Sequence, residues 1–362
     1  MNSSIPFSNG ETLQTFRRRI ARRLVRFAFG GGRNAASSAQ LPLFGIHRIL
    51  VCRISHTLGN TLLLTPLLRE LESIYPGAEV DVVTRSPVAD KIFGNFRCVR
   101  RIYVLPRHGL ATPWKLWRIV RALRSQTYDL AIDPCVSSQS DRIGVLAAKA
   151  TRKLGYVAAG KSGMLNYGVA APPMLRHAGQ VPVNLLRTAT GQAAAAPYPP
   201  LDVCLTESER AFGAQLVAEL VASNVECKPV VIGLFTSATG TKRLSAEWWR
   251  AFAEHLASRA SDARIVEIVP VSGASLLGES VPSFYSSDLR RLACVLSGLS
   301  LFISADCGVM HLACASGTPT VGLFSVTDAN VWGPYGSRDA VIDIGARTAE
   351  QVADAVPLPE KT

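Results

Sequence analysis

The chain has 362 residues, too many for one ordinary core and enough for two domains of common size. Hydrophobic residues make up 48% and charged residues 18%, and no apolar run approaches the roughly 20 residues of a spanning helix, which excludes a helical integral membrane protein. The net charge of +12 is uneven: residues 1 to 50 hold eight arginines against Glu11 alone, and residues 85 to 124 hold ten Lys or Arg against Asp90 alone. Two basic regions in an otherwise slightly acidic chain point to an anionic partner, with nucleic acid and acidic lipid both open at this stage.

From Phe16 to Phe29 the sequence reads FRRRIARRLVRFAF, with Phe16, Ile20, Leu24 and Phe27 at helical spacing and arginines on the other face. This predicts a basic amphipathic helix; an interfacial membrane helix, a solvated tail and a transit peptide all fit it. Gly30 to Gln40 reads as a linker. HRILVCRI, from His47, is a buried parallel strand, followed by the loop Ser55 to Asn60 and one helix from about Thr61 to Ile74. AEVDVVT, Arg101 to Leu105 and Tyr128 to Ile132 are further strands, separated by a Trp-rich helix near 113 to 125 and followed by a helix after Ser140. GQAAAAPYPP has the composition of an interdomain linker. Beyond it the alternation restarts with helices Glu207 to Ser223, Ser245 to Ala257 and Ser287 to Ser297 and strands Val230 to Phe235, Ala263 to Val269, Leu301 to Ser304 and Thr320 to Phe324.

Strand and helix alternating through short connections predict an α/β fold of two Rossmann-like domains facing a central cleft. The expected division is an N-terminal helix and linker over 1–46, a first domain over 47–190, a linker over 191–204, a second domain over 205–345 and a C-terminal segment over 346–362. The eight cysteines are scattered with no CxxC spacing, as expected of reduced thiols in a cytoplasmic protein.

Three stretches carry chemistry. In FISADCGVMHLACASGTPTVGLF, Asp306 follows a buried strand, Gly308 permits close backbone approach, and the helix beginning near Met310 and His311 offers free N–H groups to a phosphate. An ordinary capped strand-turn-helix has the same spacing. Thr236 to Lys242 forms a Thr- and Gly-rich loop after VVIGLF. In the third, Lys115, Arg118, Arg121 and Arg124 recur every three residues on one helix beside Trp114 and Trp117, while Arg97, Arg100, Arg101 and Arg107 flank the strand before it. Arginines suit phosphate and carboxylate recognition, and no DNA- or RNA-binding motif accompanies them.

The order Asp306, Gly308, Met310-His311-Leu312-Ala313, Gly317-Thr318-Pro319-Thr320, Thr327-Asp328 and Trp332-Gly333-Pro334 resembles the donor-domain signature of glycosyltransferase family 9, the bacterial lipopolysaccharide heptosyltransferases. ILVCRISHTLGNTLLLTPLLRELESIYPGAEVDVV and YDLAIDPC resemble the family's opening and its fourth strand, so the resemblance runs over roughly 48 to 340. It implies a GT-B type, metal-independent, inverting transferase with no cofactor, using a nucleotide-diphosphate sugar such as ADP-heptose as substrate. The acceptor would be an anionic glycolipid such as the lipid A core, met at the cytoplasmic face of the inner membrane. It makes the first domain the acceptor side, with Arg97, Arg100, Arg101, Lys115, Arg118 and Arg121, and the second the donor side, with Thr239, Thr241, Lys242, Asp306, Gly308, Met310 and His311.

One departure bears on catalysis: the family's base is an Asp directly after the loop glycine, and here Asn60 stands there. An amide takes no proton at neutral pH, so His56 in the same loop and Asp133 are the replacement candidates, with Asn60 left to orient the acceptor. Cys307 replaces a usual hydroxyl residue, and the acid expected to bind the donor ribose is absent after RIVEIVPVSG. A non-catalytic nucleotide-sugar-binding protein of the same fold is the alternative these departures leave open.

Overall fold

The computed structural model describes residues 39–107, 112–158, 161, 164–172, 177–192, 197–221, 230–271 and 275–359. The predicted basic helix, most of its linker and the centre of GQAAAAPYPP lie outside them.

The first half holds β1 (Arg48–Arg53), α1 (Leu58–Leu62), α2 (Thr65–Ile74), β2 (Glu79–Thr84), α3 (Ala89–Phe93), β3 (Val99–Val104), α4 (Pro113–Arg124), β4 (Tyr128–Asp133), α5 (Gln139–Ala147), β5 (Ala150–Val157), β6 (Tyr167–Ala170) and α6 (Gln180–Thr190). The second holds α7 (Glu207–Leu220), β7 (Val230–Phe235), α8 (Ala246–Arg259), β8 (Ala263–Val269), β9 (Ser283–Tyr285), α9 (Leu289–Ser297), β10 (Leu301–Ala305), α10 (Gly308–Ser316), β11 (Thr320–Phe324), α11 (Ala329–Trp332), β12 (Ala340–Asp343) and α12 (Ala349–Asp354). Two short 3-10 turns, Gly240–Lys242 and Gly278–Ser280, complete it.

Each half is built on a six-stranded parallel sheet, ordered β3-β2-β1-β4-β5-β6 and β12-β11-β10-β7-β8-β9. The strands at the centre, such as LVC in β1 and FIS in β10, are apolar on both faces because helices cover both sides. In each sheet the order reverses once, at β1/β4 and at β7/β10. Ligands of open α/β sheets bind at the carboxyl ends of strands at such a reversal, so the loops after these four strands define the site.

The helix predicted from Thr61 to Ile74 is two helices, broken at Leu63 and Leu64. Pro66 has no N–H to donate to Leu62, so the chain restarts with Pro66 in the first turn of α2. The C-terminal helix α12, set apart from the second domain in the sequence reading, packs on α8.

One apolar cluster joins the two halves, from Ile49, Leu67 and Leu186 to Val231, Leu296 and Leu312. The seam is closest where α1 meets α10. A Cβ on Gly59 would lie 3.1 Å from His311 Cδ2, and one on Gly308 would lie 3.0 Å from Leu58 Cβ and 3.3 Å from Gly59 N. Two glycines without side chains let the helix starts touch across the cleft. Among the described residues no helix is long and apolar enough to cross a membrane.

Candidate donor and acceptor site

On the second half, β7 and β10 deliver the Thr-rich loop and the Asp306 turn to the same place. Lys242 Nζ lies 3.1 Å from Asp306 Oδ2, and Thr327 Oγ1 donates to the same oxygen at 2.5 Å. Asp306 is buried while a quarter of the Lys242 side chain remains exposed, so the pair holds an ammonium at the mouth of the cleft. Beside it α10 begins at Gly308, and the N-cap Cys307 makes no side-chain cap bond. The first-turn N–H groups of α10 carry the positive end of the helix dipole. Thr239 and Thr241 are both exposed on the loop, free to reach a ligand. Below them Thr236 is buried and donates to Glu267 at 2.7 Å, which fixes the root of the loop.

Met310 does not join this group. Its side chain is fully buried, the sulfur under Gly322 of β11, so that side chain packs the core, and only the backbone N–H of Met310 belongs to the helix start. His311 is buried as well, with Nδ1 lacking a hydrogen-bond partner among the described residues. Burial, reinforced by the neighbouring His177, lowers its pKa to about 4, so the imidazole is neutral at physiological pH. It sits at the seam against Gly59 rather than on the open loop.

On the first half, Asn60 is anchored at both ends of its amide, which leaves one N–H and one lone pair for a ligand. Its Oδ1 accepts from Arg53 at 2.8 Å and its Nδ2 donates to Thr57 Oγ1 at 2.7 Å. Arg53 also reaches Asp141 at 3.3 Å, and Asp141 takes the Ile54 N–H at 2.8 Å. Burial raises the Asp141 pKa although Arg53 opposes the shift. Asn60, Leu63, Pro134 and Trp332 line a small cavity of about 170 Å³ at the seam. Trp332 is positioned by the second half's own reach across it: Ala178 N–H donates to Val331 O at 2.9 Å, and His177 Nε2 lies 2.8 Å from Gly333 O.

Asp133 is not placed to act as a base. It is fully buried, and Arg142 Nε at 2.8 Å, Lys161 Nζ at 2.6 Å and the Cys135 N–H at 3.4 Å occupy its oxygens. A fully buried carboxylate held between two cations lies out of reach of an acceptor hydroxyl.

His56 stands differently. It is exposed, and it lines a cavity of about 830 Å³ together with Arg85, Tyr103, Arg107, Trp114, Lys115 and Arg118. Of the six predicted acceptor cations, only Lys115 and Arg118 are in it. Arg100 is spent on Asp81, at 3.0 and 2.8 Å, and on Glu79 at 2.8 Å. Arg97 lines a separate groove with Glu72, Gly77 and Cys98, at the amino ends of β2 and β3 and away from the cleft. Arg101 lines neither, and Arg121 lies outside the cavity, its guanidinium 5.3 Å from the Trp117 ring. Arg85 opens the basic stretch counted from the sequence but is not among its closely spaced cations. Its place directly after β2, at a strand's carboxyl end, was the signal for it.

A family model described as glycosyltransferase family 9 (heptosyltransferase) matches residues 116–355. The chain belongs to glycosyltransferase family 9. As a member of that family it is a glycosyltransferase, and its two six-stranded parallel sheets have the α/β architecture of the GT-B type. A Pseudomonas aeruginosa protein named lipopolysaccharide heptosyltransferase 1 is 27% identical over 310 residues, covering 80% of this chain and 81% of that one. A family 9 glycosyltransferase from Veillonella parvula superposes with a TM-score of 0.70 at 18% identity over 84% of this chain and 87% of its own. An E. coli heptosyltransferase solved with ADP does so with 0.64 at 20% identity over 85% and 97%. Likeness at these identities concerns the fold alone.

Proposed function

We propose that this family 9 enzyme moves a sugar, with heptose the favoured donor sugar, from a nucleotide-diphosphate sugar to a hydroxyl of an anionic glycolipid by inversion. The acceptor belongs to lipopolysaccharide or a related surface polysaccharide, and the protein works as a peripheral protein on the cytoplasmic face of the inner membrane, without a metal or cofactor. The observation that carries the reading is the Lys242–Asp306–Thr327 cluster beside the start of α10, across the cleft from a cavity lined by His56 and four Lys or Arg residues.

In this reading the donor diphosphate takes the position between Lys242, Thr239, Thr241 and the Gly308 end of α10. Lys242 and the helix N–H groups meet the charge that builds on the diphosphate as its bond to the anomeric carbon breaks, which favours the transition state over the bound donor. The acceptor hydroxyl attacks from the opposite face and gives its proton to the imidazole of His56, while Asn60 orients it. Arg85, Arg107, Lys115 and Arg118 hold the acceptor's acidic groups.

The test is calorimetry of the protein with ADP-, GDP- and UDP-sugars, then turnover of the tightest binder on a deacylated lipopolysaccharide core fragment, with anomeric configuration read by NMR. An ADP-heptose preference and an inverted product support the proposal. Retention of configuration, or preference for a UDP-sugar, would replace it.

A further inference from the structure

Helix α4 presents three strips. Leu116, Val120 and Leu123 turn inward, and Trp114, Lys115, Arg118, Ile119 and Ala122 line the acceptor cavity. The third strip, Trp114, Trp117, Arg121 and Arg124, follows the 3-4-3 spacing of one helix face and points to solvent. Trp114 is 55% and Trp117 60% exposed, and no residue of α4 is fully buried. Lys115 and Arg121 lie 5.2 and 5.3 Å from the two indole rings. The sequence holds no Asp or Glu between Asp90 and Asp129, and among the described residues no carboxylate pairs with a cation of α4.

Indoles interleaved with arginines on one helix face match the headgroup layer of an anionic bilayer, where the ring body is apolar, its N–H is wet and the cations meet phosphate. The same charge argues against other occupants from this chain. The N-terminal segment, eight arginines against Glu11, and a second copy of α4 are both repelled by such a face. We propose that the Trp114–Trp117–Arg121–Arg124 face of α4 docks on an anionic lipid bilayer, so that the cavity on the neighbouring strip opens at the membrane surface. The inference rests on the glycolipid acceptor proposed above and adds the face by which the enzyme meets it.

The test uses the full chain and vesicles of phosphatidylglycerol and phosphatidylcholine in equal parts. Residues 1 to 46 contain no tryptophan, so quenching of tryptophan emission by headgroup-proximal brominated lipid does not report the N-terminal segment. Quenching in the unmodified protein, lost in Trp114→Phe/Trp117→Phe, is expected; quenching that persists in the variant overturns the proposal. The exposed pair Trp117→Ala/Arg124→Glu should lower vesicle affinity by at least about ten-fold, leaving turnover of the deacylated core fragment unchanged. Equal affinity for vesicles overturns the docking face. Vesicle contrasts as expected, but no turnover of the core fragment by either protein, keep the docking face and remove the glycolipid acceptor.

Discussion

The two halves of the cleft handle charge in opposite ways. On the donor side the cation is held by a partner: Lys242 is fixed by Asp306, which Thr327 fixes in turn. On the acceptor side Lys115 and Arg118 have no carboxylate partner among the described residues and stand in a cavity of about 830 Å³. A paired lysine is oriented before its ligand arrives and need only exchange one anion for another, so it serves a fixed diphosphate. Unpaired cations around an open cavity provide a field and tolerate variation in where the ligand's charges fall. The chemistry depends on the first arrangement, and encounter with a large acceptor depends on the second.

The comparison breaks most sharply at His56. If the acceptor side supplies the base, His56→Gln lowers kcat on the order of 10²- to 10⁴-fold while donor affinity stays within a factor of two or so. A loss under about ten-fold returns His56 to acceptor contact and leaves the base unassigned. Lys242→Ala comes next, with about ten- to hundred-fold lower kcat/KM for the donor, the loss of a charge-assisted contact of roughly 1.5 to 3 kcal/mol. If only KM rises, Lys242 binds donor and transition state equally, and the paired lysine has no special part in the chemistry.

The seam between the halves gives a pH signature. His311 has its pKa lowered to about 4 by burial, then by His177, which is itself buried and shifted down. A histidine whose folded pKa lies below its unfolded value binds fewer protons when folded. Its stabilising share is therefore whole above about pH 6.5 and drains as pH falls toward about 4. From pH 7 to pH 5 this costs about 2 kcal/mol. Urea melts at the two pH values should show the loss, and His311→Gln should flatten it. An equal loss in the variant would assign the acid sensitivity to other groups.

The same contrast explains what was legible in the sequence. Asp306, Gly308 and Lys242 lie in short segments leaving apolar strands, so strand periodicity alone places them at a carboxyl end. Their donor-side neighbour Met310 misled because a motif records spacing, not which way a helical side chain turns. The acceptor cavity draws on four separate segments, the loops after β1, β2 and β3 and helix α4, and no linear spacing links His56, Arg85, Arg107 and Lys115. Charge density alone gathered Arg97 and Arg100 into the same surface, whereas the pairing of Arg100 with Asp81 depends on β2 and β3 lying side by side. Asp133 looked available because its burial between Arg142 and Lys161 is set by residues nine and twenty-eight positions away.

The smallest expected effect belongs to Asn60, and it is the one that separates orientation from proton transfer. Both ends of its amide are used, Oδ1 by Arg53 and Nδ2 by Thr57, so the side chain is held in one rotamer beside the seam cavity. Asn60→Ala removes both bonds, leaving Arg53 to turn wholly to Asp141, and takes away the amide that orients the acceptor, which predicts a loss of about three- to ten-fold in turnover, roughly 1 kcal/mol. Asn60→Asp is the sharper variant. The new carboxylate keeps the Arg53 contact with charge added, and the Thr57 hydroxyl can rotate to donate where it now accepts, so the fold has little reason to object. With the base at His56, this variant should stay within a few-fold of the unmodified enzyme, and the pair His56→Gln/Asn60→Asp should remain slow. A rise of ten-fold or more in Asn60→Asp, or recovery of turnover in the pair, would mean that position 60 is where the proton is taken. The acceptor half would then be built to orient first and catalyse weakly, and His56 would lose its part.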